Sequence, residues 1–572
     1  MSRIWVIEAS GKKETFKKAL KTLSFKGDQV LATYGRLFDL PQDALGFDPA
    51  MMSQPGTSSQ IHWVPKNPGR ALELIKRLAE GDEIFIATDS DLEGELIASQ
   101  VEELCVHAQR QRSKPQIVTR VHIPAITPED IERALSKAGP VDTNMVRAAK
   151  ARRVLDRLLG YTFHDPEDPW RLSIGRVVTP LVSSLFESPG EAVIIRKKLA
   201  DGWNAIVRLD TTQAIHADTL VGILHALPAP VVHTVSTEAM QFEHKPLTGP
   251  EALSLCMRGL PHSPTEIQTS IQQSYERGIL SYPRTDSRTL GEVALKWIDR
   301  MAGKESVQFD KDLAVARQSE RLERSYDAHQ ALLPLTEDIP AASIPASYLS
   351  IDQAVLRVIA QHSVQIGAPS EEYTREIGRL DDHDNASRKW AQVLRAWDTK
   401  LFFVRDTDDS GFQQDPLRHE ITRPPEVSQA LVSKWSHPTT QIVMERLCEM
   451  GLGRPSTLFG LAEKTFASYL DRYGTVNGRG KIMIEKVMRR LPELLTRDAA
   501  RSIENVVADV QKDASIGTRL SKAWEILKKN PVLLGGNGAE APVSVQVGQE
   551  KTLEKQGVAK EIPENTNTFG MY

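Results

Sequence analysis

The stretch EIFIATDSDLEGELIASQ, residues 83–100, joins a β-rich apolar run to a helical pattern through an acidic turn. Asp89, Asp91 and Glu93 follow the end of the apolar run, and α/β sheets place their active sites at strand ends of this kind. Three carboxylates this close repel one another unless a cation lies among them, and such hard oxygen ligands suit Mg²⁺. A solvated acidic turn that caps the following helix is the alternative interpretation.

The sequence around this stretch alternates between strand and helix patterns. The strand-like runs are Arg3–Glu8, Gln29–Thr33 and Gln116–Ile123, and the helical runs are Lys12–Leu23, Arg70–Glu80 and one opened by the capping sequence at Thr127–Asp130. A βαβ order predicts a mostly parallel sheet covered by helices. Because parallel strands share one carboxyl edge, we expect Glu8 beside the acidic turn. Lys12 then begins a helix, where a phosphate would meet both its charge and the helix N-terminus, unless the two residues simply flank a surface turn.

Length and composition limit the class of protein. With 572 residues, the chain is expected to hold about four domains. It is 40% hydrophobic and 26% charged, which is ordinary for a soluble protein and excludes collagen-like, disulfide-rich and wholly disordered classes. The chain contains no run of about 18 apolar residues, so no membrane span is predicted. Its three widely separated cysteines fit a reducing cytoplasm. The net charge of −4 gives no sign of a polyanionic partner, so any such argument rests on local clusters.

The rest of the chain divides into blocks of different pattern. The blocks are helical and arginine-rich from Val141 to about Ser188, strand-like from about Glu191 to Phe242, helical from about Gly249 to Gly367, strand-like from about Glu372 to Arg405, and helical from about Ser428 to Lys529. This order predicts domains nested by insertion rather than arranged in series. The polar tail from Gly535 has little to bury and is expected to be mobile.

Two further motifs carry candidate catalytic side chains. Tyr282 lies in GILSYPRTDS, and Arg284, two residues later, could neutralise a phosphate while the phenol oxygen attacks it. A tyrosine packed in a proline-containing turn is the alternative. His329 in YDAHQALLP could orient or protonate a phosphate region, although a single helical histidine is more often structural.

Arginines and one glycine-rich turn form locally basic segments. The arginines are Arg147, Arg152, Arg153, Arg157 and Arg176, and the turn GLGRPST contains Arg454, Ser456 and Thr457. Both segments suit contacts with a phosphate backbone, but the arginines could equally form ion pairs on a helix face, and the turn could cap a helix. The sequence contains no GxxxxGK(S/T) motif, no GxGxxG motif after a strand, and no His or Cys spacing typical of a metal site.

Taken in order, these motifs resemble the type IA DNA topoisomerase family. IWVIEASGKKET and ATDSDLEGELIA are similar to its TOPRIM motifs, ARRVLDRLLGY and LSIGRVVTPLV to its arginine-bearing segments, SYERGILSYPRTDS to its active-site tyrosine segment, DAHQALLP to its histidine motif, and ERLCEMGLGRPST to its Gly-Arg-Pro-Ser-Thr turn. The resemblance covers roughly Arg3 to Lys529. The tyrosine motif in this order is much more specific than the acidic motif, which primases and some nucleases share.

The resemblance implies a multidomain α/β fold whose helical and strand-rich domains close into a toroid. The implied domains are a TOPRIM domain at 1–140, a helical gate domain at 141–190 and 430–532, a strand-rich arch at 191–245 and 370–429, a helical tyrosine domain at 246–369 and a flexible tail at 533–572.

The resemblance also implies an ATP-independent enzyme that cleaves one DNA strand, passes another through the break and religates it. Tyr282 would form a 5′-phosphotyrosyl link with help from Arg284, Glu8 would protonate the departing 3′-oxygen, and Lys12 and His329 would bind the phosphate region. Glu8, Asp89, Asp91 and Glu93 would hold Mg²⁺, and Arg152, Arg153, Arg176, Arg454, Ser456 and Thr457 would contact single-stranded DNA.

Some positions depart from the family pattern. Ala125 stands where Glu is usual, Gln330 and Leu333 stand where Glu and Arg are usual, and the zinc-ribbon tail of many relatives has no counterpart. A TOPRIM nuclease or primase and a catalytically weak DNA-binding relative are therefore the alternatives. We expect a cytoplasmic monomer, associated with nucleoid or plasmid DNA, that relaxes negative supercoils or decatenates DNA and that has a helicase as a further partner.

Overall fold

The computed structural model describes residues 2–25, 27–49, 61–164, 169, 172–199, 202–318, 330–397, 400–407, 432–453 and 455–528. All of these residues belong to one unit, Met1–Asn530. No helix within the described ranges is both long and apolar enough to cross a membrane.

The N-terminal region is a sheet whose short strands alternate with helices. Its elements are β1 (Arg3–Ile7), a 3-10 turn (Ser10–Lys12), α1 (Lys13–Thr22), β2 (Gln29–Ala32), β3 (Phe38–Asp39), β4 (Val64–Pro65), α2 (Pro68–Leu78), β5 (Glu83–Ile86), α3 (Leu92–Gln109), β6 (Ile117–Arg120) and α4 (Pro128–Leu135). The strand order is β2-β1-β5-β6, and every neighbouring pair is parallel. The predicted parallel sheet is therefore confirmed, and β3 and β4 form a separate small antiparallel pair.

Apolar side chains cover both faces of this sheet. Along β1, Ile4 and Val6 face one core, which contains residues of α2 and α3, while Trp5 and Ile7 face a second core with residues of α1 and α4. This alternation is the period of two expected for a strand buried on both sides. The second core also contains Tyr282, which lies far later in the chain.

The remaining elements follow in chain order. They are α5 (Thr143–Thr162), α6 (Val178–Glu187), β7 (Glu191–Lys198), β8 (Asn204–Asp210), α7 (Ala217–Ala226), β9 (Val232–Phe242), α8 (Gly249–Gly259), α9 (Pro264–Glu276), α10 (Glu292–Lys304), α11 (Lys311–Ala316), α12 (Ile351–Val364), β10 (Glu371–Leu380), α13 (Asn385–Trp397), β11 (Lys400–Thr407), β12 (Val432–Ser436), α14 (Thr439–Met450), α15 (Pro455–Tyr469), α16 (Gly478–Arg490), α17 (Arg497–Ala508) and α18 (Ile516–Leu527). Short 3-10 turns lie at Ala214–His216, Ala346–Tyr348 and Pro492–Leu495.

A second sheet unites strands from separate parts of the chain. Its order is β12-β7-β8-β11-β10-β9, and each neighbouring pair is antiparallel. The helices α8 to α12 lie between β9 and β10 in sequence, so this helical block is inserted between two strands that pair with each other. Helices distant in sequence also meet, because α5 contacts both α17 and α18.

Three details differ from the sequence expectation. Helix α7 interrupts the first strand-like block, because its buried residues Ala217, Leu220 and Leu224 recur at helical spacing. Helix α13 interrupts the second block and buries Trp390 against the sheet. The last block, expected to be helical from about Ser428, contains β12 before its first helix, since that strand pairs with β7.

Candidate active site

The acidic turn is held between β5 and α3 by local hydrogen bonds. Asp91 is the N-cap of α3, and its Oδ1 accepts a hydrogen bond of 2.8 Å from the backbone N–H of Gly94. A Cβ atom at Gly94 would lie 1.9 Å from the carbonyl oxygen of Asp89, so only glycine fits there. The helix-capping interpretation is therefore correct for Asp91, and it leaves the second carboxylate oxygen of this residue facing the site.

A buried arginine that the sequence analysis missed supports this turn. Arg120, at the end of β6, forms an ion pair of 2.8 Å with Glu95, and both side chains are fully buried. The guanidinium also donates to the backbone carbonyls of Thr88 and Asp89, each at 2.8 Å. These bonds fix the backbone that follows the carboxyl end of β5. Only an arginine in a strand otherwise rich in apolar residues marked this role in the sequence.

Glu8 and Lys12 reach the acidic turn from the first strand, as the shared sheet edge predicts. Lys12 is buried, its Nζ forms an ion pair with Asp89 Oδ1, and it lies 4.8 Å from the ring centre of Tyr275. Burial disfavours the ammonium charge, but Asp89 and the neighbouring groups outweigh it and raise the pKa of Lys12. Burial and the nearby charges of Asp89 and Asp91 raise the pKa of Glu8 to about 8. Glu8 thus holds a proton at neutral pH.

Tyr282 completes this group from the helical block. Its hydroxyl donates to Asp91 Oδ2 at 3.2 Å, and its ring packs edge-on against Tyr275 with the ring centres 5.3 Å apart. Only 2% of the tyrosine is exposed. The structure therefore brings four features together. Glu8 follows β1, Lys12 lies in the 3-10 turn, and both meet the acidic turn and Tyr282, which comes much later in the sequence.

Hydrogen bonds to two other segments of the chain, one around Leu333 and one at the start of α8, hold the Tyr282 segment in place. The backbone N–H of Ser281 donates to the carbonyl of Leu333 at 3.0 Å, and the Ser281 hydroxyl donates to the carbonyl of Ala331. At the start of α8, the N–H of Gly249 donates to Thr285, and a Cβ atom at Gly249 would lie 1.8 Å from the carbonyl oxygen of Pro283. The position of Tyr282 therefore depends on contacts distant in sequence.

The local electrostatics disfavour a tyrosinate. Burial, together with the carboxylates of Asp91 and Asp89, raises the pKa of Tyr282 well above its usual value, and Arg284 opposes this only in part. The charge of Arg284, which favours the phenolate, is thus outweighed by burial and by the two aspartates. Burial opposes the guanidinium charge of Arg284, yet Tyr282 and the two aspartates raise its pKa, so the arginine remains a cation beside the phenol.

The fourth acidic residue of the predicted metal site is directed elsewhere. Glu93 forms an ion pair of 2.6 Å with Arg36, which also pairs with Asp39 at 3.0 Å. Within the described ranges, no group of three or more His, Cys, Asp or Glu side chains is arranged to surround a metal ion. Mg²⁺, however, commonly binds through one or two carboxylates together with water and phosphate oxygens. The oxygen donors of Asp89 and Asp91, which repel each other and Glu8, fit that smaller ligand set.

The three described arginines of the predicted DNA groove engage carboxylates of the protein. Arg153 donates two hydrogen bonds to Asp39, at 2.7 and 3.1 Å, and Arg152 lies 3.8 Å from Glu504. Arg176 pairs with Asp156 at 2.8 Å and also with Glu504. Arg176 is buried, so in this conformation it does not line a groove, and its two carboxylates explain why. The ion-pair alternative describes this residue.

Most of the other predicted site residues fall outside the part of the chain that the structure describes. His329 and Arg454 lie outside the described residues, as does the side chain of Ser456. Thr457 is exposed in the first turn of α15. Ala125, where the family usually carries Glu, is fully buried next to the sheet edge.

Comparisons with known proteins agree with the fold. Residues 140–517 match the family model described as DNA topoisomerase, and residues 3–120 match the Toprim domain. The chain is 24% identical to DNA topoisomerase 1 of Aquifex aeolicus, over 92% of this chain and 98% of that protein. It is 26% identical to DNA topoisomerase 1 of Synechocystis sp. over 58% of this chain, a match that spans 41% of that longer protein.

The solved structures give the same picture of the fold. Full-length topoisomerase I from Thermotoga maritima superposes with a TM-score of 0.60 at 18% identity, over 91% of this chain and 89% of that one. The Toprim sheet and the topoisomerase family model together define an enzyme that changes DNA topology. The chain belongs to the type IA DNA topoisomerase family, and DNA is its substrate.

Proposed function

We propose that this enzyme breaks and rejoins one DNA strand through a covalent bond to Tyr282, without ATP. The observation that carries the proposal is the 3.2 Å contact between the Tyr282 hydroxyl and Asp91, beside a carboxyl group of Glu8 that holds its proton at neutral pH. Exchange of one phosphoester for another keeps the bond energy nearly level, so religation needs no external energy source.

In the proposed cleavage step, one side chain of the site accepts the phenol proton and another donates a proton to the leaving oxygen. The Tyr282 oxygen bonds to the phosphorus, and the phenol proton passes to the Asp91 carboxylate that already accepts it in a hydrogen bond. The bond from phosphorus to the 3′-oxygen breaks, and Glu8 gives its proton to that oxygen. Lys12 and Arg284 offset the charge on the phosphate. Religation is the same step in reverse, with the free 3′-hydroxyl as the nucleophile.

We further propose Mg²⁺ as the metal, held by Asp89 and Asp91 with Glu8 beside them. When bound, the ion would supply positive charge that holds the DNA phosphates in position for religation. Burial and the charges of Asp89 and Asp91 raise the pKa of Glu8, and the negative charge of these two aspartates supports a cation at this edge. Glu93 would join only if it released Arg36.

The proposed domains are those implied by the sequence, arranged as a ring that DNA enters when the tyrosine separates from the acidic edge. The near-complete burial of Tyr282 supports such an opening, since no phosphate reaches its oxygen otherwise. The pairing of β9 with β10 around the inserted helices supports the division between arch and tyrosine domain. We propose a monomer that prefers single-stranded regions, works in the cytoplasm on nucleoid or plasmid DNA with a helicase, and either relaxes negative supercoils or decatenates.

The test uses a single-stranded oligonucleotide labelled at its 5′ end or its 3′ end. The protein is incubated with each substrate and Mg²⁺, quenched in detergent, and examined for a labelled protein band. We expect the 3′-labelled fragment, which carries the 5′-phosphate, to be attached to the protein, and Tyr282→Phe to abolish this adduct. The exposed Tyr348→Phe is the matched control. Free cleaved ends that persist in Tyr282→Phe would instead indicate a Toprim nuclease.

A further inference from the structure

An exposed aromatic side chain lies at the same sheet edge as Glu8. Tyr34 follows β2, and 64% of this residue is exposed to solvent. Its backbone φ is 60°, in the left-handed region that side chains other than glycine and asparagine rarely adopt. A strained, exposed, aromatic residue costs free energy both in its backbone and in its hydration, so an observed outlier of this kind points to a functional use.

The tyrosine is held firmly although it is exposed. Its backbone N–H donates to the carbonyl oxygen of Glu8 at 2.9 Å, so Tyr34 sits directly beside the proposed proton donor. The guanidinium of Arg70 lies over the Tyr34 ring, 4.5 Å from its centre. Arg70 is fixed in turn by bonds to the Ala32 carbonyl and to Glu73, at 2.5 and 2.7 Å. One face of the ring is therefore supported, and the exposed remainder faces solvent.

The residues after Tyr34 are also anchored. Arg36 ties the loop to Glu93, in the first turn of α3, and to Asp39. The ring is thus presented from a loop that is fixed on both sides, at Glu8 and at Glu93. A rigid aromatic ring backed by an arginine is the arrangement on which an unpaired base stacks, and the arginine adds to the attraction.

We infer that Tyr34 is a stacking platform for one nucleobase of the single-stranded DNA, close to the phosphate that is cleaved. This inference rests on the proposed function, because it places the scissile phosphate beside Glu8. Stacking is tolerant of base identity, so Tyr34 would hold the strand in register without selecting a sequence. Double-stranded DNA, whose bases are already stacked on one another, would gain nothing from the contact.

The experiment places the fluorescent base 2-aminopurine at successive positions of a single-stranded oligonucleotide that the enzyme binds. Tyr282→Phe prevents cleavage during the measurement. We expect fluorescence quenching at one position near the cleavage site, and we expect Tyr34→Gly to remove that quenching and to weaken single-strand binding by about 5- to 150-fold. Tyr34→Phe should retain both. Glycine suits the left-handed backbone, so Tyr34→Gly is expected to fold, and its melting temperature verifies this.

Tyr348→Gly is the matched control, because Tyr348 is 80% exposed and belongs to a different part of the chain. Equal quenching and equal affinity in the wild-type, Tyr34→Gly and Tyr348→Gly proteins would overturn the inference and leave Tyr34 as a packing partner of Arg70. A normal covalent adduct with no Tyr34 effect would contradict only this inference. Absence of the adduct in the otherwise unaltered enzyme would contradict the proposed function, while the quenching would still test Tyr34.

Discussion

Glu8, the proposed proton donor, has a buried carboxyl group whose ionisation is linked to the stability of the protein. Its pKa is raised from the usual 4.5 to about 8, so the folded protein binds this proton more tightly than the unfolded chain does. The stabilising contribution is complete below about pH 4.5 and is lost as the pH rises towards 8. In the proposed mechanism, the same raised pKa would keep the proton available for the leaving 3′-oxygen at neutral pH.

Glu8→Gln should therefore separate stability from activity. The neutral amide avoids the cost of a buried charge, so above pH 8 the DNA-free variant should be more stable than the wild type, by on the order of a few kcal/mol. Near pH 4.5 the two proteins should unfold alike, while cleavage by the variant should be lost. Chemical denaturation across this pH range provides the measurement. A constant stability difference from pH 4.5 to 8.5 would show that Glu8 does not titrate as described.

Arg120→Met should destabilise the Toprim sheet by about 3–5 kcal/mol, because it leaves the buried Glu95 without its ion-pair partner. The double variant Arg120→Met, Glu95→Gln should recover part of this loss. Thermal unfolding of the wild type, the two single variants and the double variant measures the coupling between the residues. Additive losses would show that the two side chains act independently.

At the scale of elements, the junction between β5 and α3 combines a structural and a chemical task. Asp91 caps the helix with one oxygen and receives the Tyr282 hydrogen bond with the other. Gly94 allows this geometry because the backbone of Asp89 passes directly against it. The acidic motif therefore begins a helix and also contacts Tyr282, so the capping interpretation does not exclude the proposed catalytic role.

Gly94→Ala should disturb both tasks at once. The added methyl group would overlap the Asp89 carbonyl, so we expect a loss of about 1–3 kcal/mol of stability and a large drop in adduct formation. Gly160→Ala is the control within a helix, because a Cβ atom there meets nothing within 4 Å. That change should leave the adduct intact and stabilise α5 by about 0.5–1 kcal/mol. Normal cleavage by Gly94→Ala would show that the turn tolerates rearrangement.

At the scale of the whole molecule, hydrogen bonds join regions that are distant in sequence. The Thr15 hydroxyl of α1 donates to the carbonyl of Glu276 at the end of α9, at 2.7 Å, and the Tyr282 hydroxyl donates to Asp91. The arginines expected to line a groove are paired with carboxylates instead. If these residues contact DNA as proposed, DNA would compete with internal contacts both at Tyr282 and at these arginines.

The net charge of −4 makes nonspecific attraction to duplex DNA weak. We expect single-stranded DNA to bind more tightly than duplex of the same length, with the logarithm of affinity falling linearly with the logarithm of salt concentration. A salt titration with both substrates measures the slopes. Equal affinities at every salt concentration would contradict the expected preference for single strands.

The sequence by itself determined the local elements and the protein family. The apolar run before Asp89, the cap at Asp91 and the order of the strands predicted the parallel sheet, because these features depend on residues that are neighbours in the chain. The same is true of Glu8 and Lys12, whose meeting with the acidic turn follows from the shared edge of parallel strands.

The tertiary structure alone decided which of these side chains interact. The hydrogen bond of Tyr282 to Asp91, the pairing of Arg176 with Glu504, the diversion of Glu93 to Arg36 and the support of the turn by Arg120 all join residues that are far apart in sequence. The raised pKa of Tyr282 has the same origin, because burial and neighbouring charges appear only when the helical block meets the sheet. Local sequence patterns do not predict such contacts. The free energy of each contact depends on the distance between its two side chains, and only the folded chain sets that distance.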